Sequence, residues 1–167
     1  MRIYIYHSNK NNFSSRCEAL AVSLGFDITI DIEKSHLAIA PLLQEKVDPY
    51  LSPGGLLVFH PSLLPLYRGR DAIKWQIHNG EKTGGVTWFW ANDKLDTGAV
   101  CVQSAFAIPP DISPREYYET LCIPEGVRSL ETVLREVRAG LFRRMPQNHT
   151  LATQQRAFHK INSVETA

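Results

Sequence analysis

The 167-residue chain carries 18 basic and 17 acidic residues, a formal net charge of +1, and is 44% apolar and 21% charged. That length accommodates one domain with a proper core. The balanced charge gives no electrostatic footing for nucleic acid or an anionic membrane surface, and no apolar run reaches the ~20 residues that a spanning helix needs.

Residues 2–6 read as a strand, with no basic and apolar leader ahead of them. Ser14 or Ser15 is the expected N-cap of a helix to about Leu24, closed by Gly25. Alternation of Ile28, Ile30 and Ile32 predicts a strand over 26–32. A short apolar run, 36–40, ends at Pro41, and a short helix is expected over 42–50. Pro53-Gly54-Gly55 then makes a turn. Leu56–Phe59 is a continuous apolar run, the pattern of a central parallel strand covered on both faces. Residues 71–79 form a helix with Ile73 and Ile77 on one face. Two strands, 84–90 and 99–108, flank the loop Asn92-Asp93-Lys94-Leu95-Asp96-Thr97-Gly98. Ser113-Pro114-Arg115-Glu116 is a helix start, with Ser at the N-cap, Pro at N1 and Glu at N3. Helix then runs to about Ala139, bent at Pro124. The division is a domain over 1–147 and a polar tail over 148–167 whose last ten residues fray. Strands alternating with helices give an α/β, Rossmann-like fold with a mainly parallel sheet flanked by helices.

In such a sheet, ligands sit beyond the carboxyl ends of the strands, where His60 stands. On spacing alone His60 is either an acid–base group or a hydrogen-bonded structural histidine, and Asp96 either its partner or a turn residue. A Ser-His-Asp hydrolase built on Ser62 lacks the Gly-x-Ser-x-Gly elbow. A metal site of His60, His78 and Asp96 lacks ligand spacing. Cys17, Cys101 and Cys122 are odd in number and scattered, as expected of reduced thiols in the cytoplasm. The Asn148-His149-Thr150 sequon carries no meaning without secretion. The segment His7–Asn12 after the first strand is either a phosphate cradle or a solvated loop. Trp88, Phe89 and Trp90 read as packing residues.

The chain resembles the folate-dependent formyltransferase superfamily. The residues that carry the resemblance are His60-Pro61-Ser62-Leu63-Leu64-Pro65, Tyr67-Arg68-Gly69, Gly80, Thr83-Gly84, Val86-Thr87 and Leu95-Asp96-Thr97-Gly98. It extends over about residues 36–147, and the half before His60 is shorter than is usual in the family. The family's catalytic set is an Asn two residues before a His, that His, and an Asp. His60 and Asp96 match, but Val58 stands where the Asn would be. The amino-terminal hydrolase domain of 10-formyltetrahydrofolate dehydrogenase departs in the same way. Ala72-Ile73-Lys74-Trp75, Phe89-Trp90-Ala91-Asn92-Asp93 and Ile123-Pro124-Glu125-Gly126-Val127 are similar to that branch.

The resemblance implies a formyltransferase that takes the formyl group of 10-formyltetrahydrofolate to an amine of a small molecule, without metal, nucleic acid or membrane. Two alternatives stay open: a 10-formyltetrahydrofolate hydrolase with water as acceptor, and a non-catalytic folate-binding protein. It implies a donor pocket between residues 37–43 and 91–98, formed by Ala40, Pro41, Leu42, Leu43, Asn92, Asp93 and Leu95. The acceptor would meet Ser8, Asn9, Ser62, Arg68 and Gly69.

Overall fold

The computed structural model describes residues 1–7, 12–43 and 46–158, and the sequence orders them around one six-stranded sheet. β1 (Arg2–Ile5) leads into α1 (Phe13–Ser23), β2 (Asp27–Ile28), β3 (Leu37–Ala40) and β4 (Leu56–His60). β5 (Arg68–Gly69) and α2 (Ala72–His78) precede the hairpin of β6 (Thr83–Trp90) and β7 (Val100–Ala107). A helical stretch of α3 (Pro114–Glu116), a π-helical turn over Tyr117–Cys122 and α4 (Ile123–Arg138) follows, and β8 (Gln154–Gln155) closes the described chain. The sheet order is β2-β1-β3-β4-β6-β7. The first four strands are parallel and β6 and β7 are antiparallel, so the sheet is mixed.

β3 and β4 are buried along their whole length, as their unbroken apolar runs require. β7, at the sheet edge, begins with two buried residues and then alternates half-buried and exposed positions. Leu57 and Phe59 of β4 join Trp88 and Trp90 of β6 in the larger core, sealed by Phe13, Cys17 and Ala21 of α1 and by Leu130, Val133, Leu134 and Val137 of α4. Each such fully buried side chain contributes ~1.5–3 kcal/mol. The opposite face holds a smaller cluster of Ala38, Ala40, Leu56, Val58, Leu64 and Phe89. Leu43, Val47 and Ala91 pack on it half-buried.

Three local expectations are corrected. The strand over 26–32 shrinks to Asp27–Ile28, because Asp31 caps a 3-10 turn, Ile32–Lys34, by accepting from Glu33 N at 3.1 Å. Ile30 is left 98% exposed. No helix occupies the described part of 42–50, where Asp48 Oδ1 instead accepts from Tyr50 N at 2.8 Å in a turn. The N-cap position of α1 is Asn12, with Ser14 and Ser15 inside the helix. Elsewhere Gly25 follows α1 at φ +78, and the Ser113 side chain accepts from Glu116 N as its spacing predicts. Ser8, Asn9 and residues 159–167 lie outside the described residues.

Candidate active site

His60 is the last residue of β4, and the loop behind it is pinned from several sides. Thr87 Oγ1, opposite His60 on β6, donates to Ser62 O at 2.6 Å and accepts from Leu64 N at 3.1 Å. Gln103 Nε2 donates to Leu64 O at 2.7 Å, and Gln76 Nε2 to Pro61 O at 2.9 Å. The Ser62 hydroxyl donates to Leu66 O at 2.6 Å and Ser62 is fully buried, so it braces this loop. The loop ends at Tyr67, held at φ +57. Its phenol is tied to Glu81 and Asn79, and burial with the Glu81 carboxylate pushes that phenol above its ordinary range.

This scaffold delivers the Tyr67 carbonyl to His60. Nε2 of the imidazole lies 2.7 Å from Tyr67 O. A carbonyl only accepts, so Nε2 carries the proton and Nδ1 is the nitrogen free for chemistry. Nδ1 faces Asp96 Oδ2 at 3.6 Å, with His60 6% and Asp96 9% exposed. A second proton on the ring would sit at Nδ1, beside that carboxylate. Such an arrangement can pass a proton between ring and carboxylate, with the ring orientation fixed by the main chain.

Asp96 is fixed as tightly. It adopts φ +53, rare for a residue with a side chain, and Oδ2 accepts from Gly69 N at 2.7 Å. The next turn runs close to β6: a Cβ on Gly98 would fall 1.6 Å from Trp90 O, so this position takes only glycine. Gln147 clamps the loop from behind, donating from Nε2 to Asp96 O at 3.0 Å and to Gly98 O at 2.7 Å. Its Oε1 accepts from Arg68 Nη2 at 2.5 Å and Nε at 3.2 Å.

The residues expected to form the donor pocket divide into two walls. Ala40 belongs to the small apolar cluster with Val58, buried Pro41 ends β3, and Leu42 and Leu43 are half-buried beyond it. Asn92, Asp93 and Leu95 are exposed on the facing loop, whose turn is made by Asn92 Oδ1 accepting from Lys94 N and Thr97 Oγ1. Tyr50 Oη donates to Asp93 Oδ2 at 3.3 Å. Leu43, Val47 and Ala91 are half-buried on the small cluster and Leu95 is 62% exposed, so apolar surface remains at this place.

Of the residues expected to meet the acceptor, Gly69 is bound to Asp96 through its N–H and Arg68 is joined to it through Gln147. His78 is not: its ring packs against Trp75 and Phe158. Among the described residues no group of three metal-ligand side chains comes together. The tail crosses the site. Thr153 Oγ1 accepts from Tyr67 N at 2.7 Å, β8 pairs in parallel with β5, and Trp75 Nε1 donates to Arg156 O at 2.9 Å. Sequence reasoning missed Tyr67 O, Gln147, His149 and Thr153. Main-chain acceptors carry no side-chain signature, Gln147 is the last residue of the stretch read as the domain, and His149 and Thr153 sit in the stretch read as a polar tail.

Comparison with known proteins bears on the family of the chain. The formyl transferase family model matches residues 44–133, just over half the chain. Cytosolic 10-formyltetrahydrofolate dehydrogenase of Mus musculus is 38% identical over 113 residues, which is 68% of this chain and 12% of that protein. Methionyl-tRNA formyltransferase of Acetivibrio thermocellus is 35% identical over 113 residues, 67% of this chain and 35% of that protein. The chain therefore spans a minor part of these relatives. Among solved structures, the formyltransferase PseJ of Anoxybacillus kamchatkensis, in complex with UDP-4,6-dideoxy-4-formamido-L-AltNAc and tetrahydrofolate, superposes with a TM-score of 0.75 at 18% identity, covering 93% of this chain and 85% of that one. That likeness shows a shared fold. With the sequence pattern and the fold in agreement, the chain belongs to the formyl transferase family.

Proposed function

We propose that this chain carries a formyl-transfer centre that takes the one-carbon group of 10-formyltetrahydrofolate to the amine of a small molecule. The observation that carries the reading is the His60–Asp96 pair at the carboxyl end of β4, with Nδ1 aimed at the carboxylate and Nε2 held by Tyr67 O. The folate, when bound, supplies an amide-like formyl carbon open to attack. His60, protonated at Nδ1, donates to the formyl oxygen as it gains negative charge. Asp96 accepts the proton that the attacking amine loses, and the pair returns it to the nitrogen that departs. Tetrahydrofolate in the PseJ complex, on a shared fold, supports the donor; its sugar-nucleotide product supports an acceptor of that chemical class. No described helix is long and apolar enough to cross a membrane. Three buried, unpaired cysteines support a cytoplasmic setting.

Val58 favours a second reading, hydrolysis with water as acceptor. Its side chain is buried in the apolar cluster on the face of β4 that also bears His60, so the position supplies no amide donor. The deciding measurement is loss of 10-formyltetrahydrofolate with and without a pool of amino sugars, nucleotides and amino acids. Loss that needs the pool supports transfer. Formate release without it supports hydrolysis. Either activity should fall about 10²–10⁴-fold in His60→Ala and Asp96→Asn. Binding of folate without turnover, indifferent to both variants, would overturn the catalytic reading and leave a folate-binding protein.

A further inference from the structure

Arg68 is 6% exposed, yet among the described residues no carboxylate pairs with it. Its Nε and Nη2 donate to the neutral Gln147 Oε1, and Nη2 also to His149 Nδ1 at 2.9 Å. A buried cation left without a counter-charge is costly, and proteins rarely keep one unless a ligand completes it. Nη1 has no bond assigned, and it is not among the buried polar atoms lacking a partner. Arg68 lines a cleft of about 470 Å³ with Asn92, Asp93, Lys94, Thr97 and His149.

The rest of the lining has the same bias. Guanidinium nitrogens only donate, so His149 Nδ1 accepts from Arg68 and its proton stands on Nε2 as a further donor. Lys94 is exposed and forms no ion pair among the described residues. Asp93, the one carboxylate in the lining, accepts from Tyr50 Oη. With His149 neutral, two cations against one carboxylate leave the cleft at +1. Arg68 is joined through Gln147 to the main chain of Asp96, so a charge bound here sits against the loop that carries the reaction.

We propose that this cleft is an oxyanion subsite, in which Arg68, Lys94 and His149 hold a phosphate or carboxylate carried by one of the two substrates. The inference rests on the formyl-transfer reading and deepens it: one substrate must present a terminal anionic group to this cleft. A planar guanidinium with free N–H groups beside a mobile ammonium is the donor set that phosphate and carboxylate prefer.

The test is equilibrium binding to the full chain, independent of turnover. The probes are inorganic pyrophosphate, tetrahydrofolate and tetrahydropteroate, which lacks the glutamate, measured on wild type, Lys94→Gln and Arg68→Gln. Lys94 lies on an exposed loop, so its variant keeps the fold if Arg68→Gln does not. An acceptor phosphate is indicated if pyrophosphate binds together with tetrahydrofolate and Lys94→Gln weakens it about tenfold. A donor carboxylate is indicated if tetrahydrofolate, but not tetrahydropteroate, displaces pyrophosphate and loses affinity in Lys94→Gln. Either result supports the subsite. No pyrophosphate binding, or binding indifferent to Lys94→Gln, together with equal affinities for the two folates, overturns it. Formyl turnover with that negative result would leave the proposed function standing and remove only the subsite. Anion binding without any turnover would do the reverse.

Discussion

Val58 and His60 stand two residues apart on the same face of β4, Val58 packed against Phe89 and Ala40 and His60 at the strand end facing Asp96. Strand alternation makes position 58 the nearest side chain on that face. An apolar residue there leaves His60 as the side-chain donor that β4 can offer to a developing oxyanion.

Val58→Asn puts an amide at that point without much change in volume. Unliganded, the buried amide lacks partners, so stability should fall by ~1–3 kcal/mol. A regained oxyanion donor is worth about 10²–10³ in rate. A lower Tm with faster formylation of an amine is the expected outcome. A lower Tm with formate release unchanged and no gain in transfer would show that the reaction does not use a donor from position 58.

Gln147 is a positioning residue whose four hydrogen bonds hold Arg68 on one side and the Asp96 loop on the other. Gln147→Ala leaves Asp96 O and Gly98 O without their donor, at about 1–3 kcal/mol for each buried unpaired group. Gln147→Glu keeps the acceptor for Arg68 but cannot donate to those carbonyls. Both variants should lose turnover, with kcat falling more than KM rises. If Gln147→Glu keeps full kcat, the clamp on Asp96 has no part in the rate.

The parts of this architecture legible in the sequence are those with a residue-type signature. The apolar run before His60 marked β4 as central, and the residues around Asn92–Gly98 marked the β6–β7 connection. Ile28, Ile30 and Ile32 misled, because Asp31 accepting from Glu33 N ends the strand and turns the chain. The tail was illegible for a different reason. Gln147 reaches Asp96 across 51 positions, and Phe158 N reaches Asp71 Oδ2 across 87. Most of these links use the main chain on at least one side, so neither periodicity nor composition encodes them. The orientation of His60 was illegible too, because the Tyr67 carbonyl that holds Nε2 and leaves Nδ1 toward Asp96 has no residue-type signature.

Cys17, Cys101 and Cys122 are buried. Burial pushes the Cys101 thiol up to about 11, with the Glu136 carboxylate adding to the effect and Arg143 and Arg144 opposing it. Burial also raises Cys17 and Cys122. The folded state thus holds these protons to higher pH than the unfolded chain, which releases them near 9. The Cys101 contribution to stability is full below about pH 9 and is lost as the pH climbs toward 11. Urea midpoints should fall between about pH 9 and 11, and a thiol reagent should label none of the three cysteines until the chain unfolds. Rapid labelling of the native protein would contradict their burial.

Gly69 couples the tail to the Asp96 carboxylate. Its φ of +92 is one that residues with a side chain rarely adopt, and a Cβ there would stand 2.4 Å from Gln155 O. Gly69→Ala must therefore strain β5 and push β8 away, at ~1–3 kcal/mol. The same residue donates its N–H to Asp96 Oδ2, so the displacement reaches the site directly. Hydrogen exchange should quicken at Thr153, whose amide donates to Pro65 O, and at Phe158, whose amide donates to Asp71, while the α1 and α4 amides stay protected. Turnover should drop in parallel, because Asp96 loses the anchor that aims it at Nδ1. Exchange confined to the tail with turnover intact would separate the two and leave β8 as packing alone.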